Sequence, residues 1–152
     1  MKKNQARAAL EALRTVRMPK IADKEVRNDL IANHFTLFDV VEKFDKQAHK
    51  LEAVHLGAFE EDRKKVGEIQ GKIHAEKDAA KRNELIASLN GEEFKELNAA
   101  WETYAKEMNA YGNEPIKGLK PIDRDKFLAA VADAELEFPQ LEALYPMLTS
   151  ND

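Results

Sequence analysis

The chain contains no cysteine. Disulfides, thiolate nucleophiles, Cys-ligated zinc and iron–sulfur clusters are therefore excluded together. Glycine (6) and proline (5) are scarce in 152 residues, which argues against a turn-rich β fold. Serine occurs only as Ser88 and Ser150, and threonine only as Thr15, Thr36, Thr103 and Thr149. None stands in a nucleophile-elbow or similar setting, so nucleophilic catalysis has no candidate. Neither a glycine-rich dinucleotide loop nor a Walker A pattern is present. No apolar run approaches the roughly 18 to 20 residues that a membrane-spanning helix needs. The basic start, Met1-Lys2-Lys3, leads into Glu11, Arg14 and Arg17 rather than the apolar centre of a signal peptide. These features together predict a soluble protein of the cytoplasm, or of the host cytoplasm if the source is viral.

What the sequence does have is helical pattern. Hydrophobic residues make up 43% and charged residues 34% of a 17.2 kDa chain, the size of one domain spanning 1–152. Ala6, Ala9, Leu10, Leu13 and Val16 predict a first helix ended by Pro19. Asp23 is a predicted N-cap for a long second helix to about His55. Along it, Leu30, His34, Leu37, Val41, Phe44, Ala48, Leu51 and His55 alternate four and three apart, as in a coiled-coil seam. Ile31, Phe38 and Val40 widen its apolar face in the first half. Gly57 falls where a C′ glycine belongs. Val66, Ile69 and Ile73 give a third helix a thin stripe, lost at Glu76 and regained at Ala80, Leu85, Ile86 and Leu89. Gly67 and Gly71 within it suggest close approach of another helix. Glu60/Lys64, Glu61/Lys65, Glu68/Lys72 and Asp78/Arg82 are favourable i,i+4 pairs.

Asn90 and Glu93 form a predicted capping box, with Leu89 and Phe94 as its staple. Phe94, Leu97, Trp101, Tyr104, Met108 and Tyr111 predict an aromatic core helix ending at Gly112. From Gly112 to Ile122, two prolines and two glycines forbid helix and imply an extended strap carrying Ile116, Leu119 and Ile122. Asp123 caps a further helix to about Ala134, with Ile122 and Phe127 as a second staple. Pro139 starts a last short helix, Pro146 stops it, and the tail Thr149-Ser150-Asn151-Asp152 is expected to fray. The predicted fold is all-α: an elongated helical hairpin or bundle with a Pro/Ile-containing strap and short C-terminal helices.

The chemistry-bearing residues are few. Glu52-Ala53-Val54-His55 supplies one Glu-x-x-His pair, but a carboxylate-bridged di-metal site in a bundle needs two. His34 and His55 lie in the seam and read as partly buried residues satisfied locally. Residues 1–27 hold eight bases and three acids, while residues 127–152 hold five acids and no base. The two ends are expected to lie together and neutralise each other; the alternative is docking of the basic helix on an acidic partner. The basic residues lack aromatic interleaving and any helix-turn-helix cue, so nucleic-acid binding is not expected. No enzyme activity, metal or cofactor is assigned.

The order of these features resembles an uncharacterised family of small phage and prophage helical proteins. The likeness rests on Met18-Pro19-Lys20-Ile21, Asp29-Leu30-Ile31-Ala32-Asn33, Glu93-Phe94-Lys95-Glu96-Leu97, Pro115-Ile116 with Pro121-Ile122, and Leu141-Glu142-Ala143-Leu144. It covers most of the chain, though the third helix is longer here. It implies origin in a mobile genetic element and brings no site. The function expected is non-enzymatic binding of another protein or of a second copy, with a homodimer predicted. The candidate surface is Leu37, Val41, Phe44, Leu51, His55, Val66, Ile69 and Ile73. The alternative is a helical metal- or small-ligand-binding protein, or an enzyme, using His and Glu side chains.

Overall fold

The computed structural model describes residues 1–149. The protein is all-α, with seven α-helices among the described residues and one two-residue strand pair. The helices are α1 (Ala6–Thr15), α2 (Lys24–Leu56), α3 (Glu60–Ala75), α4 (Ala79–Leu89), α5 (Lys95–Gly112), α6 (Arg124–Ala130) and α7 (Phe138–Leu144). The chain divides into two compact units. One comprises Met1–Lys46 and the chain from Tyr111 onward; the other is Gln47–Ala110.

In the first unit, α1 buries Ala6, Ala9, Leu10, Ala12 and Leu13 on one face. Their three-four spacing makes the stripe, and its small residues let α7 approach closely. Asp23 caps α2 as predicted: its Oδ1 accepts from the backbone N–H of Glu25 (2.8 Å) and Val26 (3.0 Å). Val26, Leu30 and Leu37 of α2 are buried in the same core as Ile21, Ile122, Phe127, Leu144 and Met147.

The strap is extended, as its prolines require. At one end it pairs with the N-terminus: the Lys3 N–H donates to the Glu114 carbonyl, and the Ile116 N–H to the Met1 carbonyl (both 3.0 Å). At the other, β1 (Ile122–Asp123) lies parallel to β2 (Leu148–Thr149), with Asp123 opposite Thr149. Thr149 is thus held by strand pairing, contrary to a tail frayed from that residue. The rest of that tail, Ser150-Asn151-Asp152, lies outside the described residues. Between these ends, Gly118 takes a left-handed φ of 86°, which glycine adopts without a Cβ clash.

Asn33 clamps the same segment. It is the buried polar side chain of the core, at 0% exposure. Its Nδ2 donates to the Lys120 carbonyl (3.0 Å), and its Oδ1 accepts from the Lys120 N–H (2.6 Å). Both amide functions are used, so burial carries no unpaired group. Asp123 caps α6 through the Lys126 N–H (2.8 Å). Helix α6 ends at Ala130, earlier than predicted, because residues 131–135 form turns in which Glu135 reaches φ 53°.

The second unit is built more thinly. Leu56, Phe94 and Leu97 are its buried cluster, with Phe59, Val66, Ile69, Leu89, Ala100 and Tyr104 packed around it. Helix α2 stops at Leu56 as predicted, but Gly57 does not take a left-handed cap. A 3-10 turn, Gly57–Phe59, carries the chain straight into α3. The predicted third helix is two helices. Glu76–Asp78 break it, and the Asp78 side chain caps α4 by accepting from the Ala80 (2.9 Å) and Lys81 (3.2 Å) N–H groups. The loss of apolar stripe at Glu76 marks this break. Neither α3 nor α4 contains a buried residue.

Two further expectations do not hold. A Cβ placed on Gly67 or Gly71 would meet nothing within 4 Å, so neither glycine admits a close helix approach. Asn90 does not cap the aromatic helix. It is the C-cap of α4, Gly91 precedes the turn Glu92–Phe94, and Asn98 satisfies the Leu89 carbonyl (2.9 Å).

Candidate interaction surface

The eight residues of the predicted surface divide between the two units. Leu37, Val41 and Phe44 belong to the first. Leu37 is fully buried, and Val41 is half-buried against the same core. Phe44 is half-buried with its ring 5.7 Å from that of Tyr111. Leu51, His55, Val66, Ile69 and Ile73 belong to the second. Leu51 is buried, Val66 and Ile69 pack against Leu56, Phe94 and Leu97, and Ile73 is half-buried. These side chains spend most of their apolar area inside their own units.

His55 Nε2 lies 3.2 Å from Glu107 Oε2. The atom is buried, and the contact lacks the direction of a hydrogen bond. It is a charged pair only when the imidazole is protonated. Glu52, the other half of the Glu-x-x-His pair, is held by Arg63 (2.5 Å). Among the described residues no three His, Asp or Glu side chains converge as a metal site would require. His34 is half-buried, with its ring edge-on to Phe35 at 5.6 Å. His74 Nδ1 sits 2.8 Å from the Gln70 carbonyl.

The aromatic helix is only partly core. Phe94 and Leu97 are buried, but Trp101 is 40% exposed, stacked edge-on to Tyr104 and lying 5.8 Å under Arg63. Of the four i,i+4 pairs on the predicted third helix, Glu60–Lys64 forms at 3.2 Å. Lys65 turns instead to Glu93 (3.2 Å), whose hydrogen bond and charge raise its pKa. Asp78 is engaged as a cap, and Arg82 donates to the Glu76 and Lys77 carbonyls.

The chain's basic beginning and acidic end do meet, since α1 packs on α7. The ion pairs of the basic segment run to other partners. Lys3 reaches Glu114 (2.6 Å) and sits 3.6 Å over the Tyr111 ring. Desolvation works against its charge, but the Glu114 and Tyr111 contacts outweigh it and raise the pKa. Arg7 pairs with Asp45 (2.5 Å), and Lys126 bridges Asp23 and Glu25. Among the described residues, no ion pair joins a base of 1–27 to an acid of 127–149.

A different face stands open. Ile31, Phe35 and Phe38 of α2 are 40%, 65% and 48% exposed. They fall four and three apart on the side of α2 away from Leu30, Asn33 and Leu37. Phe38 also walls a shallow groove with Arg7, Leu10, Glu11 and Arg14 of α1. Sequence reasoning took Ile31 and Phe38 as a widening of the core face and passed over Phe35. The signal was legible: charged residues at 24, 42 and 45 continue the same four-three spacing on either side, so the apolar step stands inside a polar face. No described helix is long and apolar enough to cross a membrane. No protein-family model matches the chain, and no curated protein or solved structure is significantly similar to it.

Proposed function

We propose that the protein is a non-enzymatic helical binding protein that works in the cytoplasm by docking another protein chain on the outer face of α2. One observation carries this reading: Ile31, Phe35 and Phe38 form a contiguous apolar row in water on a helix whose opposite side already has a core. Single exposed apolar residues are ordinary, but an aligned row on one helix costs solubility and is the form of a helix-docking site. The resemblance to small phage and prophage proteins adds the setting, a mobile genetic element.

The test uses the protein from the cells that make it. Under mild extraction it should migrate in an assembly larger than its own 17.2 kDa. Phe35→Asp combined with Phe38→Asp should return it to that mass while its circular dichroism stays unchanged. Stoichiometric metal or metabolite retained in native mass spectrometry of the purified chain would contradict the reading and favour a ligand-binding protein.

A further inference from the structure

The row has a charge pattern that names its occupant. N-terminal to it on α2 stand Lys24, exposed, and Arg27, half-buried. C-terminal to it stand Glu42 and Asp45, with side chains 54% and 47% exposed. The two acids hold Lys46 and Arg7 at 2.5 Å, but these pairs are on the surface, where such contacts are weak and can be shared. The face therefore reads basic, apolar, apolar, apolar, acidic along the helix.

Such a face is complementary to itself turned end for end. Laid antiparallel about a two-fold axis beside Phe35, two copies bring Ile31 of one to Phe38 of the other. The same register sets Arg27 opposite Glu42 and Lys24 opposite Asp45, twice each by symmetry. The two Phe35 rings meet at the centre, where a large rigid side chain is most completely desolvated. Antiparallel helices also oppose their macrodipoles favourably. Parallel pairing would stack Lys24 on Lys24 and Glu42 on Glu42, and is disfavoured by like charges.

Resting on the binding reading above, we infer that the protein docked on this face is a second copy of the chain, seated antiparallel across α2 around Phe35. The homodimer is then carried by the outer row, leaving the seam residues Leu37, Val41 and Phe44 to the core of the first unit.

Sedimentation of the full chain tests this. Wild type should pass from 17.2 kDa to twice that mass on concentration to about 100 µM. Phe35→Asp should stay monomeric with an unchanged far-ultraviolet spectrum. Arg27→Glu should weaken association about tenfold, as two ion pairs become two repulsions, and so should Glu42→Arg. The double variant, which restores opposite charges in the exchanged sense, should recover wild-type association. A monomeric wild type at that concentration overturns the inference, as does a double variant no better than either single one. If the wild type is monomeric while the cellular assembly still collapses on Phe35→Asp with Phe38→Asp, the occupant is a different protein and the binding reading stands. If neither responds, both fall.

Discussion

At the scale of single residues, polar side chains do the specifying. Asn33 holds the strap to α2 through two hydrogen bonds to the backbone of one residue, Lys120. Asn33→Ala leaves the Lys120 N–H and carbonyl without that partner and should destabilise the first unit by about 1–3 kcal/mol in a urea titration. Asn33→Asp should cost at least as much, because a carboxylate cannot donate to the Lys120 carbonyl. Asp23 acts through charge as well as shape. The Val26 N–H holds its carboxyl below the ordinary value, against some desolvation and with help from the Glu25 N–H and Lys126. Its ionised form is therefore favoured by folding. That contribution is complete above the unfolded value of 3.8 and is lost as pH falls through the lower folded one. Wild type should melt above Asp23→Asn at neutral pH, and the gap should narrow as pH falls below the unfolded value of 3.8.

At the scale of elements, helix ends and glycines decide. Caps at Asp23 and Asp123 were legible in the sequence because a side-chain acceptor before an apolar periodic run has one economical use. The Asn90 cap was misplaced because the same pattern fits a helix start or, as here, a helix end. The break at Glu76 showed in the sequence as a lost stripe, yet Asp78 was read as an ion-pair partner rather than a cap. Asp78→Ala should cost α4 about 1 kcal/mol, seen as faster amide exchange over residues 79–89. Gly67 and Gly71 lie in α3 with open space where a Cβ would stand. Each glycine-to-alanine change should stabilise the second unit by about 0.5–1 kcal/mol in thermal melts, since helix propensity improves and nothing is displaced. Gly112 is the opposite case: a Cβ there would lie 3.2 Å from that of Asn4 and 3.6 Å from the Phe44 ring. Gly112→Val should destabilise the first unit by about 1–3 kcal/mol by overpacking.

At the scale of the whole molecule, helical periodicity revealed the class and the order of the helices, and composition revealed the extended strap. The candidate surface was less legible. A helix with apolar residues on two sides presents several three-four rows, and spacing alone does not say which row meets the core. Leu37 and Phe44 belong to the expected interaction surface, yet Leu37 is buried in the core of the first unit and Phe44 is half-buried. Asn33 was not foreseen as the polar member of the inward face, and Phe35 was not foreseen as the outermost point of the other. The two units differ in what holds them: a broad core in the first, and in the second one small buried cluster against which α3 and α4 pack without a fully buried residue of their own. Amide exchange should accordingly be slowest in α1 and the first half of α2, and fastest in α3 and α4. On the proposed reading, the outer row of α2 is covered by a protein chain in the cell. A photo-crosslinking phenylalanine analogue at position 35 measures this most directly. One discrete crosslinked product is expected, a dimer of the chain, that disappears when Phe38→Asp is added. Irradiation that leaves the chain uncrosslinked at position 35, while the same label on the opposite surface behaves identically, would contradict it.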